Sequence, residues 1–481
     1  MARFQVRLRA AARRAARLGR PQPSRPATTP GPGPRPVRVV VQLDDRPAAV
    51  LAEEWTQSDA AEGVPGADLV VVQHPAARPG RDALVAAARA AGVPVVLWHR
   101  QVTPEPLPAL ADVALVATPA TADEHPGVPV AAAAFAQRRH NPGRAGGPFQ
   151  GLQPLVLDGA AGPDPVVVAA QAAAAGRVVL SEGTDDPRLE GPALDGLVLD
   201  TTHDPHLPAA LARHAELRDR YAQPALRRAH TDLSGAAAAR TLLRAAGLPS
   251  GDRSVSAVVP TMRPEQIDHV LDLVARQAHE RVQLVLVAHG FEPAADLRAR
   301  ASDRGVSDLV VLTADRSQNL GTLMNRGVDA ADGHFVAKMD DDNFYGRHYL
   351  GDLVRTFDWT GAAVAGKWAH YAYLQSAGAT FLRFPAAEHR FTRLVQGGTL
   401  VMPRDVAVSV RFEDLPRRVD TTFLDKVAAT GGTVYSADRY NFVSVRSTST
   451  AGHTWKITDS ELLALASGEP FFGEPWTHAE V

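Results

Sequence analysis

The sequence has 481 residues, including 51 Lys and Arg, 53 Asp and Glu and no Cys, and 45% of it is hydrophobic. At about 100–200 residues per domain this length predicts two or three globular domains, and the lack of Cys excludes disulfides, thiolate zinc sites, iron–sulfur clusters and a Cys nucleophile. No apolar stretch reaches the roughly 18 residues that span a bilayer, and the basic start lacks the apolar core of a secretory signal. We therefore expect a cytoplasmic protein.

The first 36 residues form a basic, Pro-rich leader with nine Arg and no acidic residue. Its apolar residues Phe4, Leu8 and Leu18 recur at helical spacing, although most of that face is Ala. Two interpretations stay open: a weak peripheral contact with anionic lipid at the inner face of the membrane, or a disordered leader without a role. The rest of the chain is acidic overall, so we expect no nucleic-acid partner.

The N-terminal elements alternate between β-branched apolar runs and Ala-rich helical segments, which predicts parallel sheets with crossover helices. The first half has strands at Val37–Leu43, Ala67–Gln73, Val93–Trp98 and Val113–Ala117, with a helix such as Arg81–Ala91 between them. A fainter second half follows at Leu155–Leu157, Val166–Ala174, Val178–Ser181 and Gly196–Leu199, then a long helical stretch from Leu207 to Ala246. The pattern predicts two tandem Rossmann-like halves over 37–248.

Strands and helices alternate again in a second predicted unit, 252–481, after the linker Gly247–Arg253. The elements in chain order are strand Ser254–Pro260, helix Pro264–Ala278, strand Val282–Ala288, strand Leu309–Leu312, helix Asn319–Ala331 and strand His334–Met339. The predicted fold class is therefore α/β throughout.

Three consecutive carboxylates, Asp340, Asp341 and Asp342, follow the last of these strands. Buried like charges are costly unless a cation lies between them. Ligands of open α/β sheets bind outside the carboxyl ends of the strands, and Mg²⁺ and Mn²⁺ prefer oxygen ligands. The pattern indicates a metal–diphosphate site; the alternative is an acidic turn in which Asp342 or Asn343 caps the next helix.

Four segments resemble, in order, the nucleotide-binding half of inverting GT-A glycosyltransferases, especially glycosyltransferase family 2. They are SVSAVVPTMRP (254–264), NLGTLMNRGVDAADGHFVAKMDDD (319–342), GGTLVMPRD (397–405) and RVDTTFLDKVAATGG (418–432). The resemblance covers most of 254–445 and implies a GT-A domain that uses a nucleotide-sugar donor and a divalent cation, Mn²⁺ or Mg²⁺.

The resemblance also implies roles for single residues. Asp340 and Asp342 correspond to the outer carboxylates of the family's Asp-x-Asp motif, with Asp340 facing the donor ribose and Asp342 holding the metal. Asp420 corresponds to the general base, although Val419 replaces the family's more frequent Glu, and capping of the following helix is the alternative role for Asp420. Further donor-binding candidates are Pro260, Thr261, Arg263, Asn319, Gly321, Asn325 and Asp341, and acceptor-binding candidates are Trp368, Gly397 and Gly398.

Two histidines, His289 and His453, are further candidates for the site. The second strand of the family usually ends in an acidic pair that binds the nucleobase, whereas here it ends in His289. Either His289 donates to the base instead, or the pocket is altered, or His289 is a plain loop residue. His453 is a candidate third metal ligand, because several GT-A enzymes bring a downstream His back to the metal; a structural role is the alternative.

The N-terminal unit resembles GT-B glycosyltransferase-like domains of the spore-maturation-protein type. The matching segments are 93–107, 134–142 and 227–243, and no Gly-rich phosphate loop accompanies them. The resemblance implies two Rossmann-like lobes, and we expect an inactive or substrate-presenting module.

Together these features predict an inverting, metal-dependent glycosyltransferase that moves a sugar from a nucleotide-sugar donor to a hydroxyl of a glycan or envelope acceptor. One alternative is an inactive carbohydrate- or nucleotide-binding scaffold, which the missing acidic pair at His289 motivates. Another is a nucleotidyltransferase, but that class is expected to carry a Gly-rich loop with Arg and Lys where this chain has Thr261-Met262-Arg263-Pro264.

Overall fold

The computed structural model describes residues 35–76, 79–101, 113–143, 154–157, 164–181, 194–447, 458–464, 466 and 469–481. The basic leader up to residue 34, with its expected membrane contact, lies outside these ranges, as does the candidate ligand His453. No helix within these ranges has the length and apolar character to cross a membrane. The chain divides into two compact units between Gly251 and Asp252.

A five-stranded parallel sheet, with the order β2-β1-β3-β4-β5, begins the N-terminal unit. Its strands are β1 Arg35–Gln42, β2 Trp55–Asp59, β3 Leu69–His74, β4 Val95–His99 and β5 Ala114–Ala117. Helix α1 (Asp45–Leu51) follows β1, and α2 (Arg81–Ala90) connects β3 to β4. The sequence pattern missed β2, because it is an edge strand in which only Trp55 is buried.

A second, three-stranded parallel sheet completes the N-terminal unit in the order β6-β7-β8. Its strands are β6 Leu155–Leu157, β7 Val179–Ser181 and β8 Val198–Asp200, with α3 (Pro165–Ala174) before β7. The expected helical stretch over 207–246 is helical for most of its length but is not continuous. His214 and Ser234 adopt extended conformations and divide the stretch. The resulting elements are α4 Leu207–Arg213, α5 Ala215–Arg228, a π-helical turn Ala229–Leu233 and α6 Gly235–Ala245.

The C-terminal unit is built on an eight-stranded mixed sheet with the order β11-β10-β9-β12-β18-β14-β19-β17. Its first four strands in the chain are parallel: β9 Val255–Thr261, β10 Val282–His289, β11 Leu309–Ala314 and β12 Phe335–Lys338. The later strands are β14 Val364–Gly366, β17 Arg390–Thr392, β18 Val401–Pro403 and β19 Val434–Ser436. The α/β prediction is confirmed for the described residues.

Helices cover both faces of this sheet and form two apolar clusters with it. They are α7 Ile267–Ala275, α8 Leu297–Asp303, α9 Leu320–Ala330, α10 Tyr349–Thr360, α11 Arg404–Val410 and α12 Val419–Ala429. Helix α7 is shorter than expected because Pro264–Gln266 forms a 3₁₀ turn before it and Arg276 ends it. The chain also contains the short helices α13 Asp459–Leu463 and α14 Trp476–Ala479.

A second sheet in this unit, with the order β13-β20-β15-β16-β21, has no counterpart in the sequence analysis. Its strands are β13 Phe344–Tyr345, β15 His370–Leu374, β16 Ala379–Arg383, β20 Phe442–Arg446 and β21 Phe471–Phe472. Strand β13 begins two residues after the acidic triplet and pairs with β20. This sheet therefore stands beside the carboxyl ends of the main-sheet strands.

Candidate functional site

The acidic triplet follows β12, which pairs in parallel with β9, so the ends of these two strands lie side by side. Asp341 accepts hydrogen bonds from the Thr261 hydroxyl and from Arg263 Nε, the latter at 3.1 Å, and it is 5% exposed. Arg263 Nη2 also lies 2.9 Å from Asp342 Oδ2. The structure thus brings together the predicted donor-binding residues Thr261, Arg263 and Asp341.

A buried lysine joins the triplet to the predicted base. The Nζ atom of Lys338 lies 2.6 Å from Asp340 Oδ1, 3.0 Å from the Gly397 carbonyl oxygen and 3.6 Å from Asp420 Oδ1. Burial alone would lower the pKa of Lys338, but Asp340 and Asp420 together raise it above its usual value. Lys338 is 1% exposed and therefore remains a cation between two carboxylates.

Asp420 lies in the first turn of α12, and the N-cap of that helix is Arg418, so the capping alternative for Asp420 is wrong. Burial raises the pKa of Asp420 and Asp340 adds to this increase, while Lys338 opposes it. The Asp420 Oδ1 atom is buried and accepts no hydrogen bond from the described residues. Such an atom can accept a proton or a hydrogen bond from a bound hydroxyl.

Asp340 and Asp342 remain candidate ligands of a divalent cation by the chemistry of their side chains. Burial raises the pKa of Asp342 and repulsion by Asp340 contributes, against the opposing effect of Arg263. Two repelling carboxylates of this kind are hard oxygen donors of the type that Mg²⁺ and Mn²⁺ use. The capping alternative for the triplet is wrong, because the next helix, α10, has His348 as its N-cap.

A cavity of about 420 Å³ opens beside these carboxylates. Its walls combine the triplet and α12 with the second sheet, and they include Asp340, Asp342, Trp368, Gly397, Gly398, Asp420 and Arg446. Two of the predicted metal ligands, Asp340 and Asp342, therefore surround one space together with the predicted base and the predicted acceptor-binding residues. This size is within the usual range for small-molecule sites.

Two consecutive glycines allow the carboxylates to come this close. A Cβ atom on Gly397 would lie 2.3 Å from Asp420 Oδ2, and one on Gly398 would lie 2.5 Å from Asp340 Oδ2. The Gly398 carbonyl also accepts a hydrogen bond from the Tyr345 hydroxyl at 2.8 Å. The glycine pair is thus explained by the packing of the carboxylates.

Other predicted donor-binding residues lie away from the cavity. Both polar atoms of the Asn325 amide bind the backbone of Phe412, at 2.8 and 2.9 Å. A Cβ atom on Gly321 would lie 1.8 Å from the Glu413 carbonyl oxygen, so this glycine admits the same loop. Asn319 is the N-cap of α9. These contacts hold the 411–415 loop, and a donor-binding role for the three residues remains a prediction.

His289 and Pro260 lie at or near the carboxyl ends of neighbouring strands. Pro260 is in register with Val287, and His289 is the last residue of β10. The Nε2 atom of His289 is buried and has no hydrogen-bond partner among the described residues. It is therefore a polar group that a ligand could satisfy.

The second sheet contributes residues for which the sequence analysis assigned no role. His370 is fully buried, and burial lowers its pKa to about 3, so its ring is neutral. Burial likewise lowers the pKa of Arg383 to about 10. The Trp368 and Phe384 rings stack 4.4 Å apart, with the Arg383 guanidinium over Phe384.

These features define an α/β domain with carboxylates at the carboxyl edge of a sheet. Residues 256–393 match the family model "Glycosyl transferase family 2". This match includes the acidic triplet and ends before Gly397 and Asp420. The match identifies the C-terminal unit as a glycosyltransferase domain and confirms that prediction.

Comparison with individual proteins gives weaker likenesses. None of the curated proteins matches the sequence. One similar solved structure is the mannosyltransferase PcManGT from Pyrobaculum calidifontis in complex with GDP-Man and Mn²⁺. Its sequence is 14% identical and the TM-score is 0.32. The alignment covers 42% of this chain and 58% of that one. Another is the structure of residues 1–349 of TarS from S. aureus in complex with UDP-GlcNAc, which is 17% identical with a TM-score of 0.33. The alignment covers 45% of this chain and 68% of that one.

Proposed function

We propose that the C-terminal unit is a GT-A-type inverting glycosyltransferase that uses a nucleotide-sugar donor and a divalent cation. The observation that carries this proposal is the arrangement of Asp340, Asp342 and Asp420 around one cavity, within the same unit as the family match. Paired carboxylates for a cation and a separate carboxylate for a proton are what sugar transfer to a hydroxyl requires.

The donor side of the proposed site consists of the triplet and the ends of β9 and β10. Asp340 and Asp342 would hold Mn²⁺ or Mg²⁺, which supplies charge stabilisation of the leaving diphosphate. The unpartnered Nε2 atom of His289 is the proposed contact for the nucleobase, in place of a carboxylate. Arg263 bridges Asp341 and Asp342 and so holds the triplet in place.

On the acceptor side, Asp420 is the proposed general base. Its carboxylate takes the proton from the acceptor hydroxyl as that oxygen attacks the sugar from the face opposite the leaving group. Lys338, 3.6 Å away, stabilises the carboxylate form that this role needs. The stacked Trp368 offers an apolar wall to the acceptor, which we propose is a glycan or another envelope hydroxyl compound.

For the N-terminal unit we propose a GT-B-like, non-catalytic module. Its support is the presence of two separate parallel sheets, β1–β5 and β6–β8, each with strands connected through helices. We propose that this module is inactive or presents the substrate, because the candidate catalytic groups lie in the C-terminal unit.

The test of the proposed function is release of nucleoside diphosphate. Purified protein with Mn²⁺ or Mg²⁺ is incubated with a panel of nucleotide sugars, alone and with extracted envelope glycans. We expect release with at least one donor, and loss of metal-dependent nucleotide binding in Asp342→Ala. The matched control is Asp425→Asn, because Asp425 lies on α12 like Asp420 but is bound to Arg393 away from the cavity. Release from no donor would favour the inactive scaffold, which the missing acidic pair motivates.

A further inference from the structure

Three histidines gather at the carboxyl edge of the first N-terminal sheet. His74 ends β3 and His99 ends β4, and the two are paired in register. His125 follows the 3₁₀ turn Ala122–Glu124. His74 is 1% exposed and His99 is 3% exposed. The carboxyl edge of a parallel sheet is where ligands of such folds bind.

Potential ligand atoms from three residues converge at this edge. The Nδ1 atom of His99 lies 2.7 Å from His125 Nε2 and 3.7 Å from Glu124 Oε2. One nitrogen from each ring and one oxygen of Glu124 all lie within 4.8 Å of one another. Two imidazole nitrogens that face each other in this way can share either a proton or a cation.

The surroundings hold the end of β4 in place. The Thr121 hydroxyl donates to the His99 carbonyl at 2.9 Å, which fixes the residue that contributes the first proposed nitrogen ligand.

We propose that the N-terminal unit contains a transition-metal site of the zinc type, formed by His99 Nδ1, His125 Nε2 and the Glu124 carboxylate. Two imidazoles and one carboxylate bind Zn²⁺ at about 2.0–2.2 Å and leave a coordination position open. Tetrahedral ligands at that distance are about 3.3 Å apart. The partly exposed His125 would therefore move outward by roughly half an ångström on binding.

Nitrogen donors distinguish this site from the triplet. Imidazole favours Zn²⁺ and related ions, whereas the carboxylates of Asp340 and Asp342 favour Mg²⁺ and Mn²⁺. Excess Mg²⁺ can therefore occupy the oxygen site without competing strongly for the histidines. The two sites can be measured separately in the full-length protein.

The test is metal titration of the full-length, chelator-treated protein in excess Mg²⁺, with Zn²⁺ by calorimetry and with Co²⁺ by visible absorption. The variants are His125→Ala, on a partly exposed residue whose loss leaves the core intact, and Glu124→Gln. The matched control is His203→Ala, an exposed histidine of the same unit.

We expect the wild type and His203→Ala to bind one equivalent of Zn²⁺, and to bind Co²⁺ with a ligand-field spectrum. We expect His125→Ala to lose that equivalent and spectrum, and Glu124→Gln to bind at least tenfold more weakly. Equal binding by the wild type and His125→Ala, or no binding by either, would overturn the proposal and leave a simple His–His hydrogen bond. Neither readout requires sugar transfer, so the result is independent of the proposed function.

Discussion

Lys338 is the residue that links the two chemical tasks of the candidate site, because its ammonium lies between Asp340 and Asp420. Removing either partner of a buried ion pair leaves a buried charge without its counter-charge. Such a change strongly destabilises the folded protein. Lys338 therefore couples the geometry of Asp340, the proposed metal ligand, to that of Asp420, the proposed base.

Replacing Lys338 with Met should lower both the melting temperature and the turnover. The two carboxylates then repel each other across the cavity edge with no cation between them. The measurements are thermal denaturation and release of nucleoside diphosphate. Lys426→Met is the control, because the Lys426 ammonium binds only the Arg411 carbonyl, at 2.9 Å, among the contacts described. Wild-type turnover in Lys338→Met would show that Lys338 has no part in the site.

Replacing Asp420 with Asn should preserve metal-dependent nucleotide binding and reduce turnover by about 10²–10⁴-fold, the usual contribution of a general base. The amide is nearly the same size as the carboxylate but cannot accept the acceptor proton. Nucleotide titration by calorimetry and a turnover assay separate the two effects. A variant with normal turnover would contradict the assignment of Asp420 as the base.

At the scale of elements, the short loop that contains Gly397 and Gly398 determines how close the carboxylates can come to the cavity wall. Each glycine faces a different carboxylate: Gly397 faces Asp420 and Gly398 faces Asp340. Substitutions in this loop can therefore disturb one carboxylate at a time.

Gly397→Ala should reduce turnover and preserve nucleotide binding, because its Cβ atom would displace Asp420. Gly398→Ala should weaken metal-dependent nucleotide binding, because its Cβ atom would displace Asp340. Nucleotide titration and turnover are measured for both. Gly351→Ala is the control, since its Cβ atom would meet no atom closer than 3.4 Å. Identical behaviour of the two loop variants would argue against separate roles for the carboxylates.

The sequence was sufficient for the long elements and for the acidic triplet. Strands β9, β10 and β12 are mostly apolar, and such segments can be recognised without tertiary information. The second sheet could not be predicted, because β13 has only two residues and its partner β20 is almost 100 residues away in the chain. Lys338 was missed for a related reason: two of its partners, the Gly397 carbonyl and Asp420, are distant from it in sequence, although Asp340 is near.

At the scale of the whole molecule, two compact units have different candidate chemistry. The C-terminal unit places candidate oxygen ligands after β12, and the N-terminal unit places candidate nitrogen ligands at the end of β4 and beyond β5. We therefore expect the C-terminal unit to bind a nucleotide with Mg²⁺ or Mn²⁺ and the N-terminal unit to bind Zn²⁺.

Amide hydrogen exchange should show which segments are protected when a nucleotide binds. With Mn²⁺ and a nucleoside diphosphate that binds, we expect slower amide exchange in 255–263 and 338–346 and unchanged exchange in β3 and β4. Binding stabilises the state that contains the bound ligand and so suppresses local opening around it. Slower exchange in the N-terminal strands, or none near the triplet, would contradict the proposed donor site.

The order of strands in the main sheet has a consequence for biosynthesis. Strand β19, at Val434–Ser436, lies between β14 and β17, which the ribosome has already produced. Pairings between segments so distant in the chain form slowly. During translation, the acidic triplet emerges well before Asp420 and the last main-sheet strand, so the nascent chain completes the candidate pocket only after the segment that contains Asp420 and β19 has left the exit tunnel.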